Sequence, residues 1–436
     1  NRIADGYGFP PSLIKPLARA GVGLLILVDC GTNQPDEVGT LADAGIDVIV
    51  LDHHVPSARI AKPLALVNPR LGADGGQELC SAGLAAKLAH TLYGQTDERW
   101  CRLLDLVALG TLADYAPLVG DNRIFVAMGL EQIAQSPRPG LRRLCESVGA
   151  TGTSAEQILR RLVPRLNAAG RLGDARPVWQ VLSASSSPAA CRAAEALDAI
   201  HADVKRLHRR IVVEAHEQAS RIHFKYEQVM VVARRGWHAG LMGAIAANLM
   251  ERYGRPAITL ALDDHIGVGS GRSPEAFNLF AALRACEPML LRYGGHPQAC
   301  GLVLKSTSVP SFRDAINRHA QSVLGPTRLL RQITIDAELR MKELTPQTAW
   351  AMERLQPFGA GNPSPRVLIR HVVREGVSGR QAILTDDTAR LRMRGRWPQG
   401  ETSARYDIVV RIGRSAGEVV LSVEDLRISA SGLESG

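Results

Sequence analysis

Two short apolar runs, Leu24-Leu25-Ile26-Leu27-Val28 and Ile46 with Val48-Ile49-Val50-Leu51, flank a helix-like stretch from Asp36 to Ala44. Runs of this length, bounded by polar or turn residues, read as strands buried on both faces. A strand, a helix and a second strand in so short a segment form a βαβ unit, and its strands are parallel. This commits the first part of the chain to an α/β architecture. It also brings the residues that follow each strand, Asp29-Cys30-Gly31-Thr32 and Asp52-His53-His54, to one carboxyl edge, where open α/β sheets bind ligands. An Asp-His-His triplet alone describes an ordinary strand end. Beside Asp29 it becomes a set of oxygen and nitrogen donors able to hold a divalent metal or move a proton.

A third carboxylate, Asp114, follows Gly110-Thr111-Leu112-Ala113 at the end of helical spacing over 98–109 and leads into Tyr115-Ala116-Pro117. By itself it is a turn or cap residue. With Asp29, His53 and His54 it completes two carboxylates and two imidazoles. Without thiolates, such a set favours Mn2+, then Mg2+, over zinc. Two such ions ~3.5–4 Å apart suit phosphodiester hydrolysis, although four side chains fall short of two full coordination shells.

Residues 122–200 read as mostly helical, interrupted by a loop from Pro164 to Arg171, and few breakers occur from Ala189 to Ile222, which suggests one long helix. A second α/β unit begins near Gln228, with strands at Val229–Val232 and Ala257–Leu262 and a helix from Leu241 to Tyr253. Two glycine-rich loops follow, 267–273 and 293–297, carrying Ser270, Arg272 and His296. Glycine admits close approach, serine donates and arginine forks onto phosphate. Trp237, Tyr293 and Phe358 are read as packing residues as readily as base-stacking ones, and His238 as a helix cap or an anion contact. Past Pro326, short alternating runs after a rigid turn at 357–365 indicate a small β-barrel or sandwich.

A chain of 436 residues suits two to four domains. The net charge of +9 favours a polyanionic partner, nucleic acid above all. An aromatic content of 4% limits base stacking. Seven scattered cysteines without a Cys-x-x-Cys pair argue against structural zinc and a disulfide framework, and for a reducing cytoplasm. No apolar run approaches membrane-spanning length. The first residue is Asn1, so an internal start is expected.

Taken in order, the motifs resemble the RecJ family of the DHH phosphoesterase superfamily. They are Asn1-Arg2 with Gly6-Tyr7-Gly8, Val28-Asp29-Cys30-Gly31, Asp52-His53-His54 and Ala108-Leu109-Gly110-Thr111-Leu112-Ala113-Asp114. Asn167-Ala168-Ala169-Gly170-Arg171, Trp237-His238-Ala239-Gly240, Gly269-Ser270-Gly271-Arg272-Ser273, Gly294-Gly295-His296 and Pro357-Phe358-Gly359-Ala360-Gly361-Asn362-Pro363 follow. The resemblance implies a parallel-sheet DHH catalytic domain over 1–188 and a long connecting helix over 189–222. A smaller α/β DHHA1-type substrate-binding domain over 223–326 and an OB-like β-barrel over 327–436 complete it. It implies Asp29, His53 and Asp114 as metal ligands, with Asp29 bridging two Mn2+ (or Mg2+) ions in the intact protein. His54 would stand beside the scissile phosphate and Asp52 would orient it. Arg2, Ser270 and Arg272 would hold a 5′-phosphate, while Arg171 and His296 would face nucleic acid. The OB-fold would bind single strands in a basic groove with a few stacked rings.

The implied activity is 5′→3′ hydrolysis of single-stranded DNA to mononucleotides in recombination and repair. A single-strand-binding protein and a helicase are the implied partners, and no membrane is involved. The superfamily's Asp-x-Asp-x-Asp motif is absent from these 436 residues. The chain alone is therefore expected to bind metal poorly and to be weak or inactive, and a longer protein carrying that motif to be active. Two alternatives stand beside this reading. One is a phosphoesterase for short oligonucleotides, cyclic dinucleotides or pyrophosphate, for which a strand-binding barrel would be superfluous. The other is an inactive single-strand-binding protein, which the coding sequence before Asn1 would discriminate.

Overall fold

A computed structural model describes residues 8–72, 78–94, 98–150, 154–324, 333–378, 381–394, 404–415 and 418–429. Arg2 lies outside these residues. The chain forms two compact units. One comprises Pro11–Ser136, Ala150–Arg160 and Ile333–Gly436, the other Asn1–Pro10, Pro137–Gly149 and Arg161–Gln332.

The first unit opens with α1 (Ile14–Arg19), β1 (Leu24–Val28), α2 (Pro35–Asp43), β2 (Asp47–Leu51) and β3 (Ala65–Val67). The strands pair in parallel in the order β1-β2-β3, with Val28 opposite Leu51 and Leu51 opposite Val67. Asp29 and His53 thus emerge at the same edge. In β2, Val48 and Val50 are buried on one face and Leu51 on the other, with Ile49 half-buried, but burial fails on one face of β1, where Leu24, Ile26 and Val28 are 50, 48 and 46% exposed. β1 is an edge strand, and its outward side chains have no layer over them among the described residues.

Three helices follow: α3 (Ser81–Tyr93), α4 (Leu104–Ala113) and α5 (Gly120–Ala134). The segment Glu98–Leu103 is 3-10 helix, so α4 starts later and ends later than the spacing implied. α4 is apolar nearly all round, and Leu104, Val107, Ala108, Leu109 and Leu112 are buried. A helix of that kind sits inside a protein, and α4 lies between α3 and α5. Its last turn delivers Asp114 as the C-cap.

The second unit carries α6 (Pro139–Val148), and α7 (Ala155–Gln157) belongs to the first; α8 (Val163–Arg171), α9 (Arg176–Leu182) and α10 (Ser187–Ala219) follow. Residues 164–171, expected as a loop, are helical. Pro164 sits in the first turn of α8, where its missing N–H costs nothing. Ala168 and Ala169 are buried, and α8 packs along α10. α10 buries Ala190, Ala194, Leu197, Val204, Ile211, Ala215 and Ala219, a stripe at helical spacing.

The strands β4 (Met230–Arg235), β5 (Ala257–Leu262), β6 (Ile266–Arg272), β7 (Leu290–His296) and β8 (Ala299–Lys305) form one sheet in the order β4-β5-β6-β8-β7. Around it lie α11 (Met242–Tyr253), α12 (Leu279–Ala285) and α13 (Val309–Leu324). Both glycine-rich stretches expected as loops are strands. Gly267, Gly269 and Gly271 alternate with Val268, Ser270 and Arg272, so the glycines share one face. A Cβ on Gly269 would lie 2.4 Å from the Thr259 carbonyl oxygen and 2.5 Å from Leu260 Cδ2. Glycine here admits close packing rather than a turn.

The rest of the first unit is β9 (Ala337–Glu338), α14 (Pro346–Glu353), β10 (Val367–Ser378), β11 (Gln381–Thr385), β12 (Arg390–Arg394), β13 (Tyr406–Ser415) and β14 (Glu418–Ile428). Pairings β10–β11–β12–β14–β13–β10 close on themselves, giving an OB-like barrel around Val367, Ile369, Leu384, Ile408, Val410 and Leu421. Its arginines are largely committed to carboxylates. Arg366 and Arg411 meet Glu424, Arg370 and Arg427 meet Asp407, Arg390 meets Glu375, and Arg392 meets Glu418. Tyr406 on β13 is 5% exposed, so its ring belongs to the core and not to a stacking surface.

Candidate metal centre

Asp29 follows β1 with φ +68°, a left-handed conformation that aspartate tolerates better than most residues. Its backbone N–H extends the ladder to the Leu51 carbonyl at 2.9 Å, and Ser81 Oγ donates to Oδ1 at 2.9 Å. His53 Nε2 lies 3.2 Å from Asp29 Oδ1 and 3.6 Å from Asp114 Oδ2. That nitrogen is buried and has no hydrogen bond of acceptable geometry. The donor atoms of Asp29, His53 and His54 all lie within 4.8 Å of one another. A buried imidazole nitrogen aimed between two carboxylates is what a divalent cation with oxygen and nitrogen ligands requires, so these residues fit such an ion. The carboxyl end of α4 adds partial negative charge beside Asp114.

The electrostatics agree. Burial pushes the Asp29 carboxyl up, but His53 and the Ser81 hydroxyl outweigh it and leave it below the ordinary range. Burial first, with the Asp29 charge assisting, raises Asp114. The Asp29 carboxylate against its ring raises His53 in spite of burial, and Asp114 adds to this.

Asp52 is 1% exposed and works differently. Its Oδ2 accepts from the Thr32 N–H at 3.1 Å. Its Oδ1 accepts from the His53 N–H at 2.8 Å and contacts His54 Nδ1 at 2.7 Å. Burial opposes ionisation, yet these bonds hold its carboxyl far below the usual range. Asp52 therefore fixes the His54 ring through Nδ1. Asn68 braces the same turn, donating to Thr32 Oγ1 at 3.0 Å and to the His54 carbonyl at 2.9 Å.

Ser81, Thr32, Asn68 and Asn122 were not singled out in the sequence. Buried Asn122 donates from Nδ2 to the Glu78 carbonyl at 2.7 Å and to the Pro117 carbonyl at 3.0 Å. One side chain thus ties the approach to Ser81, and so to Asp29, to the connection that carries Asp114. An asparagine just after Gly120-Asp121 gives no hint of this role, which depends on a contact across 44 residues. Asn122→Ala is expected to weaken divalent-metal affinity about tenfold, as outer-shell losses do, and to destabilise the protein by about 2 kcal/mol through two carbonyls left without donors. Isothermal titration with Mn2+ and thermal denaturation check the two effects.

In the second unit, Ser270 and Arg272 share a face of β6. The register sets Arg272 opposite Ala299 and Ala299 opposite His296, and Ser270 opposite Gly301 and Gly301 opposite Gly294. Directly opposed residues point to the same side of a sheet, so Ser270, Arg272 and His296 line one face over a floor of glycines. The start of α11 borders it: a Cβ on Gly243 would lie 3.0 Å from Arg272 Nη2 and 3.7 Å from Ser270 Oγ. Among the described residues no carboxylate pairs with Arg272. Burial holds its guanidinium below the ordinary value, and the nearby Arg171 charge acts in the same direction. An arginine and a serine beside a helix N-terminus have the chemistry to fit an anion. His238 caps that segment, its Nδ1 accepting from the Gly240 N–H at 3.2 Å. Trp237 is buried and donates to Glu214 at 2.7 Å, so its ring packs rather than offering a stacking platform, and Tyr293 is half-buried against Phe280.

The DHH family N-terminal domain matches residues 6–111, the DHHA1 domain residues 226–322 and the RecJ OB domain residues 335–397. The chain is 34% identical over 383 residues to the single-stranded-DNA-specific exonuclease RecJ of Bacillus subtilis, covering 86% of this chain and 48% of that protein. It is 34% identical over 390 residues to RecJ of Dickeya dadantii, covering 84% of this chain and 68% of that protein. The crystal structure of RecJ from Thermus thermophilus in complex with Mn2+ superposes with a TM-score of 0.86 at 29% identity, over 96% of this chain and 64% of that one. The chain thus spans about half the length of the Bacillus relative and under two thirds of the Thermus chain. Three domains in one order, and a third of residues shared across two thirds of the Dickeya protein, place this chain in the RecJ family.

Proposed function

We propose that the protein is a metal-dependent exonuclease that releases mononucleotides from the 5′ end of single-stranded DNA in recombination and repair. The observation that carries this reading is the buried His53 Nε2 set between Asp29 and Asp114. A relative named as a single-stranded-DNA-specific exonuclease and a RecJ structure in complex with Mn2+ support it. So does the OB-like barrel, which a small-substrate phosphoesterase would not need.

Asp29, His53 and Asp114 would hold Mn2+ or Mg2+. Bound there, the metal supplies an activated water and charge stabilisation for the displaced oxygen. Asp52 locks His54 through Nδ1, so any proton or phosphate oxygen that His54 handles meets Nε2. Ser270 and Arg272 beside the start of α11 take the terminal 5′-phosphate, and Arg171 and His296 meet the neighbouring backbone. Phosphate contacts of this kind set position and polarity without reading bases. A single-strand-binding protein and a helicase, which present such strands, are the partner classes that fit, and the cytoplasm is the place of action. No helix among the described residues is long and apolar enough to cross a membrane.

The test is digestion by the complete gene product of 5′-phosphorylated single strands, 5′-hydroxyl strands and duplex, with Mn2+ and with chelator. Mononucleotides should appear from the 5′-phosphorylated single strand only, and only with metal. Release from the 3′ end, or equal attack on duplex, contradicts the proposal.

A further inference from the structure

The activity proposed above leaves one motif without a task, Pro357-Phe358-Gly359-Ala360-Gly361-Asn362-Pro363 between α14 and β10. It lies far along the chain from Asp114, yet it folds directly onto the segment that follows Asp114. The Leu118 N–H donates to the Ala360 carbonyl at 2.7 Å. A Cβ on Gly359 would lie 2.7 Å from Leu118 Cδ1, and Leu118 is 1% exposed. A Cβ on Gly361, at φ +69°, would lie 2.8 Å from Pro117 Cβ and 3.2 Å from Pro117 Cα. Both glycines therefore serve a close approach to 117–118.

The turn is itself braced. Gly359 and Asn362 exchange backbone hydrogen bonds of 2.9 and 3.3 Å. Asn362 Nδ2 donates to the Leu355 and Pro357 carbonyls, both at 2.9 Å. From α5, Arg123 Nη2 donates to the Leu355 carbonyl at 3.0 Å and the Gln356 carbonyl at 3.2 Å. The segment it grips belongs to no helix or strand. Tyr115 within it has φ +55°, a costly conformation for a residue with a Cβ, which persists only where the surroundings impose it.

We infer that the Pro357–Pro363 turn is a strap that positions Asp114, so that a motif at the entrance to the barrel sets the affinity of the metal centre. Gly361 and Arg123 are positioning residues that act through Asp114 and touch neither metal nor DNA. The inference rests on the metal-centre reading.

The experiment is a Mn2+ titration of the complete gene product followed by electron paramagnetic resonance of the free ion, with Arg123→Ala, Arg123→Lys, Gly361→Val and Asp114→Ala variants. Arg123→Ala and Gly361→Val should weaken Mn2+ binding about tenfold, the range of an outer-shell loss. Lysine at 123 should recover most of it, since an ammonium can still donate to those carbonyls. In the Asp114→Ala background, Arg123→Ala should cause no further loss, because the two changes then remove one contribution. Wild-type affinity in folded Arg123→Ala overturns the strap. So does an equal loss with and without Asp114, which would mark a general structural effect. If Gly361→Val does not fold, Arg123→Ala, which adds no volume, still decides. Failure of the wild-type protein to bind Mn2+ would instead remove the metal centre, and the strap with it.

Discussion

Under the proposed function, replacing His53 with alanine in the complete gene product is expected to lower mononucleotide release by about 10²–10³-fold, the scale of losing one preorganised electrostatic group at a reacting centre. His53 contributes the buried nitrogen that faces both carboxylates. Without it, Asp29 and Asp114 are left with a weakened cation site, and burial already disfavours the charged form of Asp114. Affinity for single-stranded DNA measured in chelator should not change, because no metal is bound in that assay. The check is kcat on 5′-phosphorylated single strands across a Mn2+ series, alongside DNA affinity in chelator. Wild-type turnover in the variant would remove His53 from the chemistry. Loss of DNA affinity in chelator would give it a different role.

Gly269→Val should be strongly destabilising, costing about 3 kcal/mol or more, as overpacking against rigid backbone does. The added Cβ alone would sit 2.4 Å from the Thr259 carbonyl oxygen, and β5 cannot retreat because it pairs with β4 on its other side. Gly269→Ala should cost less but remain clearly destabilising. Thermal denaturation of both variants measures this. A melting temperature within error of wild type for the valine variant would mean that the glycine face of β6 is not packed as described.

That face also shows where the sequence could be read and where it could not. Leu24–Val28 and the run to Leu51 announced parallel strands because apolar runs of that length are buried strands, and the carboxyl-edge position of Asp29 and His53 followed from topology alone. The short alternating runs after 366 announced the barrel by a different signal, the period of two that marks half-buried strands. Gly267, Gly269 and Gly271 misled, because glycine marks both turns and close packing, and only the neighbouring strand tells which. Pro164 misled because a proline breaks a helix interior but suits its first turn. The exposure of β1 depends on what lies over the sheet, which no local pattern records. Asn122 and Ser81 act through contacts across many residues, and the Pro357–Pro363 turn was visible as a motif but not as a brace on 117–118.

Anomalous diffraction at the manganese edge, from crystals of the complete gene product grown with Mn2+, asks whether Asp29, His53 and Asp114 hold a cation together. A peak within ~2.0–2.3 Å of an Asp29 carboxylate oxygen, His53 Nε2 and an Asp114 carboxylate oxygen is what their arrangement demands. Manganese bound elsewhere, or density in which His53 Nε2 turns away from both carboxylates, would contradict it.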